Sequence, residues 1–149
     1  MQQRFDLTQV AAAGYRAMLG VHAYVQKSGL DLGLLELVKL RASQMNGCAF
    51  CLAMHAPLAR QNGVTEDQLT LLVAWREAPV FSPRERAALA WTESITHLAG
   101  GEVPDPVYEQ LCTHFSISEI ADLSLAIAEI NAWNRLMACS RTPPQLSAR

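Results

Sequence analysis

Two cysteines separated by two residues, followed one helical turn later by a histidine, are the residues of this sequence best suited to chemistry. Cys48 and Cys51 lie in the segment NGCAFCLAMH, which ends at His55. A thiolate is a strong nucleophile and a good metal ligand, and two thiols at this spacing can also close a disulfide. The pair is therefore open to three interpretations: a redox-active dithiol, two metal ligands, or small apolar residues of a core.

The position of the pair at a helix start favours the redox interpretation. Asn46-Gly47 predicts the end of one helix, with the next beginning near Cys48. Unpaired N–H groups at a helix start stabilise a thiolate, and CxxC cysteines there can have a pKa lowered from ~8.5 to roughly 3.5–7.5. His55 follows Cys51 by four residues on the same face, where an imidazole could act as a base. The alternative for His55 is a structural role.

Glu36, in the helix before the turn, is the candidate partner of His55. If the two helices form an antiparallel hairpin, a rise of ~1.5 Å per residue puts Glu36 about 15 Å and His55 about 12 Å from the turn. The two side chains would lie nearly level, so the carboxylate could orient the imidazole that serves Cys51. The alternative is a solvated Glu36 paired with Lys39.

A metal site is a separate interpretation of the same residues. Cys48, Cys51, His55 and Glu36 could supply four zinc ligands. Structural zinc sites usually bring a second Cys or His pair at a distance, and this sequence carries none. We therefore assign no metal ligand and no cofactor, and keep a metal-binding or redox-sensing module without turnover as the alternative to an enzyme.

Helical patterns that must position these residues follow one another along the chain. Capping boxes at Ser82/Glu85 and Ser116/Glu119 mark two starts sharply. The periodicity and caps predict helices over Thr8 to about Gln26, Leu32 to Met45, about Cys48 to Gln61, from Thr65, from Ser82, Asp105 to His114, and from Ser116 to about Ser140. The sequence thus predicts an all-α bundle of about six or seven helices, with the CxxC pair at the start of the third.

Composition limits the class of protein. The chain has 149 residues, half of them hydrophobic and 17% charged, with a net charge of −2. This size fits one domain over residues 1–149 and needs no disulfide for stability. The charge balance lacks the basic patch of a nucleic-acid binder. The excess of apolar residues predicts association into an oligomer.

The same composition predicts a cytosolic protein. No segment approaches the roughly 20 apolar residues of a membrane span. Asp6, Gln9 and Arg16 interrupt the N-terminal segment, so it lacks the apolar core of a signal peptide. Cytosolic thiols stay mostly reduced, which favours catalytic, metal-binding or buried cysteines over structural disulfides. Cys112 and Cys139 are interpreted as small buried apolar residues.

The pattern Glu36-x11-Cys48-x2-Cys51-x3-His55 resembles the core signature of the carboxymuconolactone decarboxylase superfamily, in its alkylhydroperoxidase D (AhpD)-like branch. The resemblance spans roughly residues 30–140 and includes INAWNRL at 130–136, which is similar to part of that branch's final helix. The decarboxylases of the superfamily lack the cysteine pair. The resemblance therefore implies peroxidase or disulfide-exchange chemistry.

The resemblance also implies an assembly and a division of roles. The family fold is all-α and forms homotrimers or homohexamers. Cys51 would attack a hydroperoxide, Cys48 would resolve the sulfenic acid as a disulfide, and Glu36 with His55 would relay protons. An external dithiol, from a lipoyl or thioredoxin-like protein, would reduce the disulfide again.

One departure from the family concerns the residues between the cysteines. Ala49 and Phe50 stand where the best-known member has a second histidine, so one proton carrier is missing. Several bulky apolar residues either line a pocket for an organic hydroperoxide or make ordinary core or subunit contacts: Phe50, Leu52, Met54, Trp91 and Trp133. The remaining histidines are interpreted as structural or exposed: His22, His97 and His114.

Overall fold

The computed structural model describes residues 2–98 and 101–146. Within these ranges the chain forms eight α-helices, one short 3-10 helix at Leu72–Ala74 and no strand, which confirms the predicted all-α fold. The helices are α1 (Leu7–Val10), α2 (Ala12–Gln26), α3 (Leu32–Met45), α4 (Ala49–Gln61), α5 (Glu66–Leu71), α6 (Pro83–Thr96), α7 (Asp105–Cys112) and α8 (Ile117–Ser140). In the described part of the chain, no helix combines the length and apolar character needed to cross a bilayer.

The helix count differs from the prediction at the N-terminus. The single helix predicted from Thr8 is divided at Ala11, whose φ of −137° and ψ of 42° lie outside the helical region. Val10 and Ala11 are both exposed, so no tertiary packing holds this stretch in one continuous helix. The CxxC pair consequently lies at the start of the fourth helix instead of the third.

The other predicted boundaries are close to those observed. The capping boxes at Ser82 and Ser116 both form, with each hydroxyl accepting from the backbone N–H three residues later. Thr65 also caps α5 through its side chain. Helix α4 continues through Pro57 to Gln61.

Helix α3 lies at the centre of the fold and packs against α4, α6 and α8. Its apolar residues contribute to three hydrophobic clusters: one shared with α2, α6, α7 and α8, one with α4 and α6, and a smaller one with α4 and α8. A helix covered on several sides has no solvated face. Its polar side chains are therefore buried against other helices: Glu36, Lys39 and Ser43.

The interpretation of Cys112 and Cys139 as buried residues is wrong. Both thiols are free and exposed. Cys112 is the last residue of α7, and Cys139 lies in the last turn of α8, whose buried positions there are Met137 and Ser140. The cysteines fall on the outer faces of these helices.

A buried ion pair joins α3 to α8. Lys39 is fully buried, and its Nζ lies 3.9 Å from Oε2 of Glu129. Neither atom has a hydrogen-bond partner among the described residues. Glu129 is the carboxylate paired with Lys39 in the described part of the chain, so removing either charge would disturb the balance of charge in a medium of low dielectric constant.

Close contact between α3 and α4 depends on Gly33. A Cβ atom built there would lie 2.8 Å from the backbone oxygen of Asn62, at the end of α4. We predict that Gly33→Ala separates the two helices and lowers the free energy of unfolding by about 1–3 kcal/mol. Urea denaturation followed by circular dichroism measures this change.

Gly20→Ala is the matched control, because a Cβ at Gly20 in α2 would meet nothing within 4 Å. This variant should gain roughly 0.5–1 kcal/mol from its higher helix propensity. Equal effects of the two substitutions would show that the close contact at Gly33 is unimportant.

The buried ion pair generates a second prediction. Lys39→Met keeps most of the side-chain volume and removes the charge, so we expect the free energy of unfolding to fall by about 3 kcal/mol. Urea midpoints at an unchanged m value provide the measurement. The double variant Lys39→Met/Glu129→Gln removes both charges and should recover most of the loss. A double variant as unstable as Lys39→Met would contradict this account.

Candidate functional site

The turn between α3 and α4 is held by amide side chains of α8. Gly47 has a φ of 66°, a left-handed conformation that glycine adopts without strain. Asn46 Nδ2 donates to Oδ1 of Asn131 and to Oδ1 of Asn134, at 2.9 Å each. Asn134 Nδ2 in turn donates to Oγ of Ser43 at 3.0 Å. The INAWNRL segment therefore fixes the turn from which α4 begins.

Cys48 and Cys51 occupy the first turn of α4 and form a disulfide, with 5.4 Å between their Cα atoms. Cys48 is the N-cap residue, and its Sγ accepts from the backbone N–H of Cys51 at 3.3 Å. Both residues are buried and pack in an apolar cluster with Ala42, Ile130 and Met137. The sulfurs thus lie where the helix dipole favours negative charge and where little water reaches them.

His55 and Glu36 meet across the α3–α4 hairpin, as the helical rise predicted. His55 Nδ1 donates to Oε2 of Glu36 at 2.7 Å, and the two residues are only 2% and 3% exposed. This bond fixes the ring and leaves Nε2 available for other contacts. The alternative of a solvated Glu36 paired with Lys39 is wrong, because Lys39 is buried against Glu129 of α8.

A cavity of about 150 Å³ lies between α2, α4 and α8, and Cys51 and His55 both line it. Cys48 instead borders a separate surface groove with Arg141 and Pro143. The rest of the wall of the cavity is mostly apolar: Tyr15, Leu19, Phe50, Met54, Trp133 and Met137. The rings of Tyr15 and Trp133 meet edge to face, with centroids 5.3 Å apart. A small, largely apolar molecule in this space would lie beside Cys51 and His55.

A second histidine–carboxylate pair lines the same cavity. His22 Nδ1 donates to Oε1 of Glu129 at 2.8 Å, and Trp133 Nε1 donates to the same oxygen at 3.1 Å. Glu129 is buried, whereas the His22 side chain is 38% exposed. The cavity is therefore lined by two imidazoles. That of His55 is buried and bonded to Glu36, and that of His22 reaches solvent and is bonded to Glu129.

The surroundings of Glu129 keep its carboxylate ionised. Burial raises the pKa of Glu129, but the hydrogen bond from His22 and the positive charge of Lys39 lower it more, so the pKa lies below its ordinary value. An ionised carboxylate accepts hydrogen bonds and does not donate them. Nδ1 of His22 therefore carries the proton of their shared bond.

Some of the remaining candidate residues line the cavity, and others lie away from it. Phe50, Met54 and Trp133 line the cavity, whereas Trp91 and Leu52 belong to hydrophobic cores away from it. His97 is exposed, and His114 is half-buried near Gln110. Among the described residues, no three His, Cys, Asp or Glu side chains are arranged to hold a metal ion.

The sequence did not predict that His22 and Glu129 line the cavity or that Lys39 pairs with Glu129. The sequence does carry a signal for the buried pairing of Lys39 and Glu129. Lys39 lies between Val38 and Leu40, and Glu129 lies between Ala128 and Ile130, so each is a charged residue with an apolar neighbour on both sides. Such residues are almost never buried unless they are paired.

Comparison with known proteins identifies a family and several relatives. The sequence profile of the carboxymuconolactone decarboxylase family matches residues 11–94. The uncharacterized protein YdfG of Bacillus subtilis (strain 168) is 40% identical over 136 residues, which span 91% of this chain and 92% of YdfG.

Solved structures show the same fold. ATU0492 of Agrobacterium tumefaciens, a protein of unknown function for which an AhpD antioxidant defence role has been suggested, has a TM-score of 0.95 at 38% identity. That alignment covers 98% of this chain and 100% of the other. An uncharacterized peroxidase-related protein of Ralstonia eutropha JMP134 with an alkylhydroperoxidase AhpD core has a TM-score of 0.82 at 24% identity, over 93% of this chain and 74% of its own.

The profile match covers more than half of the residues, and the likeness to YdfG and ATU0492 extends over nearly the whole chain. The resemblance inferred from the motif is thereby confirmed. The chain belongs to the carboxymuconolactone decarboxylase family, in its AhpD-like branch.

Proposed function

We propose that this protein is a thiol-dependent peroxidase, which reduces organic hydroperoxides with the Cys48–Cys51 dithiol. One observation carries the proposal. Cys51 lines a cavity together with His55, and Cys48, which does not line that cavity, is bonded to Cys51. This arrangement supports the roles we propose: Cys51 as nucleophile, His55 as base and Cys48 as resolving thiol, around a space that a small substrate can enter. The mainly apolar wall favours an organic hydroperoxide over hydrogen peroxide.

In the first step, reduced Cys51 attacks as a thiolate. His55 accepts the thiol proton through Nε2, directly or through one water, and Glu36 stabilises the imidazolium that results. The sulfur then attacks the terminal oxygen of R–O–O–H, so that an S–O bond forms and the O–O bond breaks. Cys51 becomes a sulfenic acid, and the leaving R–O⁻ takes up a proton to give an alcohol.

In the second step, the Cys48 thiol attacks the sulfenic sulfur and releases water. The product is the disulfide that the structure contains. Resolution within one helical turn limits further oxidation of Cys51 to the sulfinic acid. An external dithiol, from a lipoyl or thioredoxin-like protein of the cytosol, then returns both cysteines to thiols by exchange. We also propose a homotrimer or homohexamer, as in the family.

The cysteine roles generate a prediction that mass spectrometry can test. After a brief, stoichiometric dose of tert-butyl hydroperoxide, the reduced protein should form the Cys48–Cys51 disulfide. Cys51→Ser should form none. Cys48→Ser should instead accumulate a sulfenic acid on Cys51, which dimedone traps.

Cys139→Ser is the matched control, because Cys139 is free and exposed far along the chain. It should react as the wild type does. Peroxide consumption by Cys51→Ser at the wild-type rate would overturn the proposal. Stoichiometric zinc, with thiols that stay unreactive until it is removed, would favour a metal-binding module instead.

A further prediction concerns Glu36. Glu36→Gln keeps the size of the side chain but removes the charge that stabilises protonated His55, so disulfide formation should slow by about 10²-fold. Stopped-flow tryptophan fluorescence with tert-butyl hydroperoxide measures this rate. Glu66→Gln is the control, since Glu66 is exposed and its one ion pair among the described residues is with Arg60. An unchanged rate in folded Glu36→Gln would exclude the relay.

A further inference from the structure

Two histidine–carboxylate pairs face one cavity, and the proposed chemistry uses only one of them. The first pair joins Glu36 of α3 to His55 of α4, one turn from Cys51, and both residues are nearly inaccessible to solvent. The Glu129–His22 pair approaches the cavity from α8 and α2. An ionised carboxylate buried against a half-exposed imidazole is a costly arrangement for a purely structural contact.

We infer that His22, oriented by Glu129, is the general acid that protonates the leaving oxygen of the hydroperoxide. This inference rests on the proposed function. His22 touches the substrate and is a catalytic residue, whereas Glu129 positions its ring. Lys39, 3.9 Å behind Glu129, keeps that carboxylate charged and is also a positioning residue.

The available atoms of His22 fit this role. Because Nδ1 is bonded to Glu129, the other ring nitrogen, Nε2, is the one that can reach a molecule in the cavity. Nε2 has no hydrogen-bond partner within the described chain. The partly exposed side chain can also recover a proton from water after each turnover, which a ring as buried as His55 does less readily.

The direction in which the thiolate displaces the leaving oxygen assigns different roles to His55 and His22. Sulfur, attacked oxygen and leaving oxygen lie in line when the O–O bond breaks, so the leaving oxygen points away from Cys51. His55 is one turn from Cys51 on the same helix and lies beside the nucleophile. His22 lines the same cavity from a different helix, α2, so it is not confined to the side of the nucleophile.

The proton balance of the step is complete. The thiolate supplies the electron pair for the new S–O bond, and the electrons of the O–O bond leave on R–O⁻. Protonated His22 transfers the Nε2 proton to that oxygen and becomes neutral, with Nδ1–H still on Glu129. The products are the sulfenic acid of Cys51 and the alcohol R–OH, and water reprotonates His22.

The test compares two oxidants that differ in the basicity of their leaving group. The alkoxide released by tert-butyl hydroperoxide needs a proton, whereas the acetate released by peracetic acid does not. His22→Asn retains an amide N–H for Glu129 but has no titrating nitrogen. All variants carry Cys112→Ser/Cys139→Ser, so that only the Cys48–Cys51 pair reports oxidation, and His97→Asn is the matched control.

We expect His22→Asn to slow disulfide formation with tert-butyl hydroperoxide by about 10²-fold and to change the peracetic acid rate less than threefold. His97→Asn should match the parent with both oxidants. Equal slowing with both oxidants, or slowing with neither, would overturn the role of His22. A parent protein that forms no disulfide with either oxidant would instead overturn the proposed function.

Discussion

The hydrogen bond between His55 and Glu36 is the interaction on which the site depends. Both residues are almost completely buried, and the hydrogen bond described for each side chain is the one it makes with the other, at 2.7 Å. A slide of α4 along α3 by one turn would leave a carboxylate and an imidazole unpaired in an apolar interior, at a cost of several kcal/mol. The bond therefore sets the register of the hairpin, and that register sets the height of Cys51 relative to its proposed base.

Polar residues in otherwise apolar helices do the rest of the positioning. Asn131 and Asn134 hold the α3–α4 turn through Asn46, and Glu129 joins α8 to α2 and α3 through His22 and Lys39. Buried polar contacts of this kind contribute little net stability, because each group loses its hydration. Their effect is to favour one arrangement of the helices, since any other arrangement leaves some of them unsatisfied.

The parts of the fold that local chemistry determines could be predicted from the sequence. Helix starts at Ser82 and Ser116 are set by side chains within one turn, and the Cys48–Cys51–His55 spacing is local as well. Glu36 could be paired with His55 because both lie on helices that flank one turn. The division at Ala11 could not be predicted, because it reflects the absence of packing at that point. His22 and Glu129 are 107 residues apart, and only tertiary packing brings them together.

The amide contacts around Asn46 have a consequence for the proposed redox cycle. They anchor the main chain before Cys48 through α8, and none of them involves a sulfur atom. These contacts do not have to break when the bond between the two sulfurs opens, so they can hold the turn in both redox states. In the proposed cycle, a reductant would therefore recognise the disulfide itself rather than a rearranged turn.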